Sequence, residues 1–258
     1  MPTRDSYAQG TPNWVDLQTT DQAAAKAFYG EVFGWSYDDQ PMDADAVYSI
    51  AKIGDALVAA IAPQSPELKA AGAPSMWNTY LAVDSVDDAT AKVAAAGGTV
   101  AMAPFNVMDA GRMSFVMDPS GAAVALWQAN QHIGAGLVNE PGAVIWNELI
   151  TDNPAAVSFY EQVLGLTATT ADMGDDKYTM FEVDGQHVGG TTPPQMPGVP
   201  NHWHVYFAVA DADASAAKIK QLGGSVVVEP FDTPIGKMAV AADPQGAVFS
   251  LYQPQPPA

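Results

Sequence analysis

Two hydrophobic periods alternate along this chain in a fixed order. Asn13 to Gln18 alternates apolar and polar positions as a strand does, and Gln22 to Val32 then places Ala24, Phe28 and Val32 on one helical face. Asp21 stands where an N-cap belongs and Gly34 where the helix should stop. Three short strands are predicted next, around Trp35–Tyr37, Val47–Ile53 and Ala56–Ile61, with a Gly54-Asp55 turn between the last two. The order strand, helix, strand, strand, strand then recurs. Trp77 to Val83 is a strand, Val86 to Ala96 a helix ended by Gly97-Gly98, and strands follow near Thr99–Ala101, Arg112–Met117 and Ala122–Gln128.

The second half repeats the first. Trp14-Val15-Asp16-Leu17 matches Trp146-Asn147-Glu148-Leu149, and Phe28-Tyr29 matches Phe159-Tyr160. Trp77 matches Trp203 at a spacing of 203 − 77 = 126, and Gly97-Gly98 matches Gly223-Gly224 at the same spacing. Asp118-Pro119-Ser120-Gly121 matches Asp243-Pro244-Gln245-Gly246, and Leu126-Trp127-Gln128 matches Leu251-Tyr252-Gln253. Helices are predicted at Asn153–Val163 and Ala212–Leu222, and strands at Lys177–Val183, His187–Thr191, Ser225–Glu229, Met238–Ala242 and Ala247–Gln253. Self-similarity of this kind implies two domains of one fold, residues 1–131 and 132–258. Gly134, Gly136, Pro141 and Gly142 punctuate the join, and Pro254-Gln255-Pro256-Pro257 reads as a frayed tail.

Composition narrows the roles. The 258 residues carry 29 acidic against 10 basic side chains, a net charge of −19, which repels phosphate backbones and anionic lipid surfaces. No nucleic-acid or membrane partner is therefore expected. With no cysteine, disulfides, thiol nucleophiles and Cys-ligated zinc are all excluded. The start of the chain has no apolar signal core, and no run approaches the roughly 18 apolar residues of a membrane span. A cytoplasmic protein is the default, with leaderless export left open.

The candidate chemistry centres on Asn201-His202-Trp203-His204-Val205-Tyr206-Phe207, a strand in which His202, His204 and Tyr206 share one face. Glu148 and Trp146 sit on the repeat's first strand and face the same way. These histidines are either polar pocket wall or an acid/base pair in which Glu148 orients His204 or is itself the base. The first half offers a softer set: Asp16 for Glu148, Asn78 for His204 and Tyr80 for Tyr206, with Trp14 and Trp127 as aromatic walls. Asn78 cannot shuttle protons, so binding suits that half better than catalysis. Trp14 and Trp146 would either pack at the sheet mouth or stack on a ligand. Arg112 and Lys237 also match in position, as an anion contact or as surface ion pairs. Met108, Met113 and Met117 read as core filler, and His132 and His187 receive no role.

The Thr20-Asp21…Phe28-Tyr29…Phe33-Gly34-Trp35 helix, its twin ending Phe159-Tyr160…Leu164-Gly165-Leu166, the Gly-Gly turns and the two Asp-Pro-x-Gly hairpins together resemble the vicinal oxygen chelate superfamily. That superfamily includes glyoxalase I, bleomycin-resistance proteins and extradiol dioxygenases. The run Pro197 to Tyr206 is similar to its two-domain actinobacterial branch. The resemblance implies an α+β fold: two tandem glyoxalase/bleomycin-resistance-like domains, each of two βαβββ units curling a mixed sheet into a cup with helices outside. Metal-dependent members carry one ligand on each of four strands. Here the matching positions are Trp14, one near Ala59, Asn78 and Ala125, then Trp146, one near Gly189, His204 and Ser250. Only His204 is a good ligand. The expectation is a metal-independent binder of a small molecule in aromatic-lined cups, without a cofactor. Its ligand-binding set would be Trp14, Asp16, Asn78, Tyr80, Trp127, Trp146, His202, Tyr206 and Ser250. The alternative is a glyoxalase-like lyase, hydroxylase or isomerase working through His204 and Glu148 on small dicarbonyl or aromatic metabolites, and a third reading makes one domain a structural copy. A monomer with an internal pseudo-dimer, or a weak homo-oligomer, would follow.

Overall fold

The computed structural model describes residues 3–42, 46–173 and 176–255, with the side chains of residues 172–177 left aside. The tail residues Pro256 and Pro257 lie outside the described residues. Sixteen strands and five helices form two sheets of eight strands, ordered β2-β3-β4-β1-β5-β8-β7-β6 and β10-β11-β12-β9-β13-β16-β15-β14. The first sheet is built from β1 (Pro12–Thr19), β2 (Ser36–Pro41), β3 (Val47–Ile53), β4 (Ala56–Pro63), β5 (Met76–Ala82), β6 (Thr99–Val107), β7 (Gly111–Met117) and β8 (Ala123–Ala129). The second holds β9 (Val144–Ile150), β10 (Thr167–Met173), β11 (Asp176–Val183), β12 (Gln186–Thr192), β13 (His202–Ala208), β14 (Ser225–Thr233), β15 (Gly236–Ala242) and β16 (Val248–Pro254). In each sheet two βαβββ units meet where their first strands pair antiparallel, β1 with β5 and β9 with β13. Each first strand also runs parallel to the last strand of its own unit. The tandem α+β fold is as the repeats imply.

The helices are α1 (Gln22–Phe33), α2 (Pro66–Ala70), α3 (Val86–Val93), α4 (Ala155–Leu164) and α5 (Ala212–Gln221). Asp21 caps α1 by accepting from the Ala24 amide at 3.0 Å, and Gly34 ends it in the left-handed region. The buried face of α1 is Ala25, Phe28, Tyr29 and Phe33, rotated from the predicted stripe because the tyrosine also turns inward. Strand β10 and the five-residue α2 escape the sequence pattern: β10 is a polar, Thr-rich run with little apolar alternation. Met113 is buried in the first cup, but Met108 and Met117 are exposed: Met108 sits in the turn before β7 and Met117 is the last residue of that strand.

Helices α1, α3, α4 and α5 cover the backs of the sheets, outside the cups, with α1 beside α5 and α3 beside α4 where the halves meet, and each large core draws on both halves of the chain. One core joins Phe28, Tyr29, Phe33 and Trp35 to Phe207, Ile219, Phe249 and Leu251. The other joins Leu81, Val86, Val93 and Leu126 to Phe159, Tyr160, Phe181 and Trp203. Two polar locks cross the same boundary. The Tyr29 hydroxyl donates to Asp243 at 3.1 Å while accepting from Trp77 Nε1 at 3.0 Å; Tyr160 donates to Asp118 at 3.0 Å while accepting from Trp203 at 2.8 Å. The helix aromatics and the Asp-Pro-x-Gly turns that mark the repeat are thus partners of each other across the pseudo-two-fold axis. With their backs shared in these cores, the faces of the two sheets that carry Asp16 and Glu148 turn away from each other.

Candidate functional site

Strand alternation places Trp14 and Asp16 of β1 and Asn78 and Tyr80 of β5 in the first cup, with Asp16 directly opposite Asn78. Asp16, 3 % exposed, accepts three hydrogen bonds: from Tyr80 Oη at 2.6 Å, Asn78 Nδ2 at 2.8 Å and Tyr48 Oη at 3.1 Å. Trp14 Nε1 donates to Tyr48 Oη at 2.9 Å. Every donor therefore points toward one carboxylate. Desolvation pushes the Asp16 pKa up, opposed by these bonds.

This cup is closed. The segment between the domains lies over it, with His132 edge-on to Trp14 at 4.6 Å between ring centres and its carbonyl accepting from Trp127 Nε1 at 2.8 Å. Asn13 Nδ2 holds the Ile133 carbonyl at 2.9 Å, and Tyr7 Oη holds that of Ala135 at 2.7 Å. Gly134, at φ 113°, lies so close to the Asn13 backbone that a side chain there would collide with it. His132, which sequence reading gave no role, is thus part of the cup. Burial lowers its pKa to about 4, and its Nε2 is buried without a hydrogen-bond partner among the described residues.

The second cup repeats the plan on β9 and β13, where Glu148 stands opposite His204. Glu148 Oε2 accepts from Tyr206 Oη at 2.7 Å, and Trp146 Nε1 donates to Tyr178 Oη at 2.9 Å, as Trp14 does to Tyr48. Desolvation raises the Glu148 pKa, while Tyr206 and Tyr178 oppose the shift. His204 does not copy Asn78. Its Nε2 bonds Ser250 Oγ at 2.8 Å and its Nδ1 faces His202 Nε2 at 3.4 Å, so Glu148 does not orient His204. His202 Nδ1 meets the Pro200 carbonyl at 2.8 Å. Burial, and secondarily His202, lower the His204 pKa to about 3, so the ring is neutral at physiological pH. The walls are also more open: Trp146, Tyr206, Met238 and Tyr252 are half-buried where Trp14, Tyr80, Met113 and Trp127 are buried, while Tyr48 and Tyr178 are half-buried alike.

The ladder corrects the two positions anchored near Ala59 and Gly189. Ala60 and Gly190, one residue later, stand beside Asp16 and Glu148. Gly190 has a local reason to be glycine: a Cβ there would meet the Tyr178 hydroxyl and ring. With the register settled, the four family ligand positions hold Trp14, Ala60, Asn78 and Ala125 in one cup and Trp146, Gly190, His204 and Ser250 in the other. Apolar, amide and hydroxyl groups are not the donor set of a first-row divalent metal, and both nitrogens of the one imidazole are already engaged. Among the described residues no three His, Asp or Glu side chains come together as a ligand set.

The remaining candidates are structural. Arg112 forms a two-point ion pair with Asp87, with both bonds at 2.9 Å, and Lys237 bonds Asp213 at 2.6 Å. Each cation ties a hairpin to the first turn of a helix on the surface. His187 lies 3.3 Å from Glu182. Tyr48 and Tyr178 were missed by sequence reading. Their signal was the repeat itself, since both occupy the third strand of the first unit in their halves.

The sequence matches the Glyoxalase/Bleomycin resistance protein/Dioxygenase superfamily over residues 11–126 and 149–251, and the protein belongs to that superfamily. It is 56% identical over 260 residues, covering 99% of both chains, to a Mycobacterium tuberculosis protein provisionally named glyoxylase CFP32. It is 38% identical over 259 residues, covering 96% of this chain and 94% of the relative, to the anthracycline biosynthesis protein DnrV of Streptomyces peucetius. Among solved structures it is similar to the Mn(II)-bound glyoxalase of Novosphingobium aromaticivorans, with a TM-score of 0.65 at 20% identity over 96% of this chain and 83% of that one. The 2,3-dioxygenase LapB of Pseudomonas sp. KL28 also gives 0.65, at 16% identity over 98% and 96%. At these identities the two structures speak for the fold alone. Among the described residues no helix is long and apolar enough to cross a membrane.

Proposed function

We propose that the protein is a metal-independent small-molecule-binding member of the superfamily, and that the second cup is its ligand site while the first is a structural copy. The observation that carries this reading is the different fate of the two carboxylates. Asp16 is enclosed by three donors beneath the linker, whereas Glu148 loses the third donor because His204 turns to Ser250. Glu148 therefore retains capacity to accept a hydrogen from a ligand, beside the half-buried faces of Trp146 and Tyr206. A planar ligand carrying hydroxyl or enol groups suits that surface. The name of the Streptomyces relative, an anthracycline biosynthesis protein, supports the same class. The net charge of −19 argues against anionic ligands and nucleic acid.

A second reading, an enzyme, is favoured by the raised Glu148 pKa, since burial makes this carboxylate a stronger base than an exposed one. Glu148 would take a proton from an activated C–H or O–H group, with Tyr206 releasing or retaining its hydrogen bond as the charge changes. The mycobacterial relative's name supports a glyoxalase-like version of this chemistry.

The test is tryptophan-fluorescence titration and native mass spectrometry with a panel of planar phenols and small dicarbonyls. Trp146→Ala is expected to weaken binding at least tenfold and Trp14→Ala to leave it within twofold. The reverse pattern would move the site to the first cup. Stoichiometric Zn, Ni, Fe or Mn in untagged protein, lost in His204→Ala, would overturn metal independence.

A further inference from the structure

On the floor of the second cup, the direction of each hydrogen bond can be followed from a fixed end. The Pro200 carbonyl can only accept, so His202 Nδ1, 2.8 Å away, carries a hydrogen. In the neutral ring Nε2 then holds a lone pair, which accepts from His204 Nδ1 across 3.4 Å. That fixes the His204 tautomer: its Nε2 is a bare acceptor, and Ser250 Oγ at 2.8 Å must donate to it. A hydroxyl aimed at an imidazole, with the imidazole oriented by a third group, is the arrangement that activates a serine. The first cup has no such line. Ala125 stands in the register position of Ser250, beside Tyr80, and Asn78 in that of His204.

We propose that Ser250 is a nucleophile, with His204 as its general base and His202 as the positioning residue behind it, and that the second cup accepts acyl groups from small uncharged esters. This inference rests on the second cup being the ligand site. In the first step Ser250 Oγ forms a bond to the ester carbonyl carbon and its proton passes to His204 Nε2. As the adduct collapses, the carbon–oxygen bond to the leaving group breaks and the alcohol departs with the proton returned from His204. Water then attacks the acyl-serine, again losing its proton to His204, and releases the acid with Ser250 restored. The sum is ester and water giving acid and alcohol.

The paired rings address the weakness of a buried base. His204, 7 % exposed, holds a positive charge poorly, which is why its pKa is depressed. Transfer of its Nδ1 proton to His202 Nε2 moves the charge to a half-buried ring that water can reach. Glu148, one tyrosine away from Ser250, favours a cation there and disfavours an anionic acyl donor. Ser250 itself is 2 % exposed on the cup face of β16, beside Tyr206, so small substrates are required.

The experiment treats the full chain with diisopropyl fluorophosphate, in which attack on phosphorus expels fluoride and leaves a stable serine adduct, and maps the adduct by mass spectrometry. One adduct at Ser250 is expected, absent from Ser250→Ala. His204→Asn, which installs the amide that the first cup already tolerates, should slow labelling at least tenfold, and His202→Asn severalfold. p-Nitrophenyl acetate hydrolysis should follow the same order. An unlabelled folded protein, an adduct elsewhere, or labelling indifferent to His204→Asn would overturn the proposal. Phenol binding measured on the same samples separates the two ideas: binding without labelling removes the nucleophile and leaves the site, and absence of both removes the site as well.

Discussion

In the first cup Asp16 receives hydrogens from Tyr48, Tyr80 and Asn78; in the second Glu148 keeps the two tyrosine partners, Tyr206 and Tyr178, while the residue in Asn78's place, His204, turns along the sheet to Ser250. The backbone ladder is the same in both, so the difference lies in side chains alone. An amide spends its N–H₂ on the carboxylate and fixes it. An imidazole, with one N–H and one lone pair, instead links a hydroxyl on one side to a second imidazole on the other. The chain between the domains completes the contrast by laying His132 across the first pair of tryptophan walls. Duplication supplied two cups, and the exchanges of Asn78 for His204 and Ala125 for Ser250, together with the linker over the first cup, separate an enclosed hydrogen-bond sink from a more open polar floor.

The largest expected effect of this contrast is on stability. Asp16→Ala strands three donors in a closed cup and should cost about 2–4 kcal/mol, whereas Glu148→Ala, in a half-open cup with water at hand, should cost about half as much. Thermal denaturation of the two variants measures the difference, and equal losses would mean that the first cup is not sealed. Next comes Gly190→Ala. The added methyl displaces Tyr178 and should cost about 1–3 kcal/mol, and it should weaken phenol binding by calorimetry. If Tyr178 is no part of the site, stability alone will fall.

The smallest effect is in the pH dependence. The His132 pKa is depressed to about 4 in the folded protein against about 6.5 unfolded. The stability it contributes is therefore complete above pH ~6.5 and lost as pH falls toward 4, because the unfolded chain takes up the proton first. His132→Gln should flatten the stability curve between pH 7 and 5 by about 1–2 kcal/mol. An unchanged slope in urea titrations at the two pH values would show that the ring is freely hydrated.

Much of the fold was legible because it is written twice. The matched Phe-Tyr pairs, Gly-Gly stops and Asp-Pro-x-Gly turns fix the units and their order, and strand alternation puts Asp16 with Tyr80 and Glu148 with Tyr206 on one face. What could not be read was which atoms meet across strands. A one-residue slip of β4 and β12, each interrupted by a bulge, moved two positions from Ala59 and Gly189 to Ala60 and Gly190. The partner of His204 depended on which way a ring turns, and pattern favoured Glu148 where geometry chose Ser250. His132 was invisible for a different reason: a linker has no periodicity, so nothing in its spacing says what it covers. That the helix-bearing backs of the two sheets meet follows from the pairing of the two halves, which no local pattern encodes.

That pairing sets a timetable for the chain's birth. Synthesis delivers the first half before the second, so helix α1 emerges with Phe28, Phe33 and Trp35 and must wait for Phe207 and Phe249 before its core can close. Most of the chain's length separates Tyr29 from Asp243. A nascent first half is therefore a sheet with an uncovered oily back, dependent on chaperones or on its own slow second half, and contacts of such long range make late, unhurried folding the rule. Reading-frame losses or pauses after residue 131 would release a fragment that is sticky rather than a working single domain.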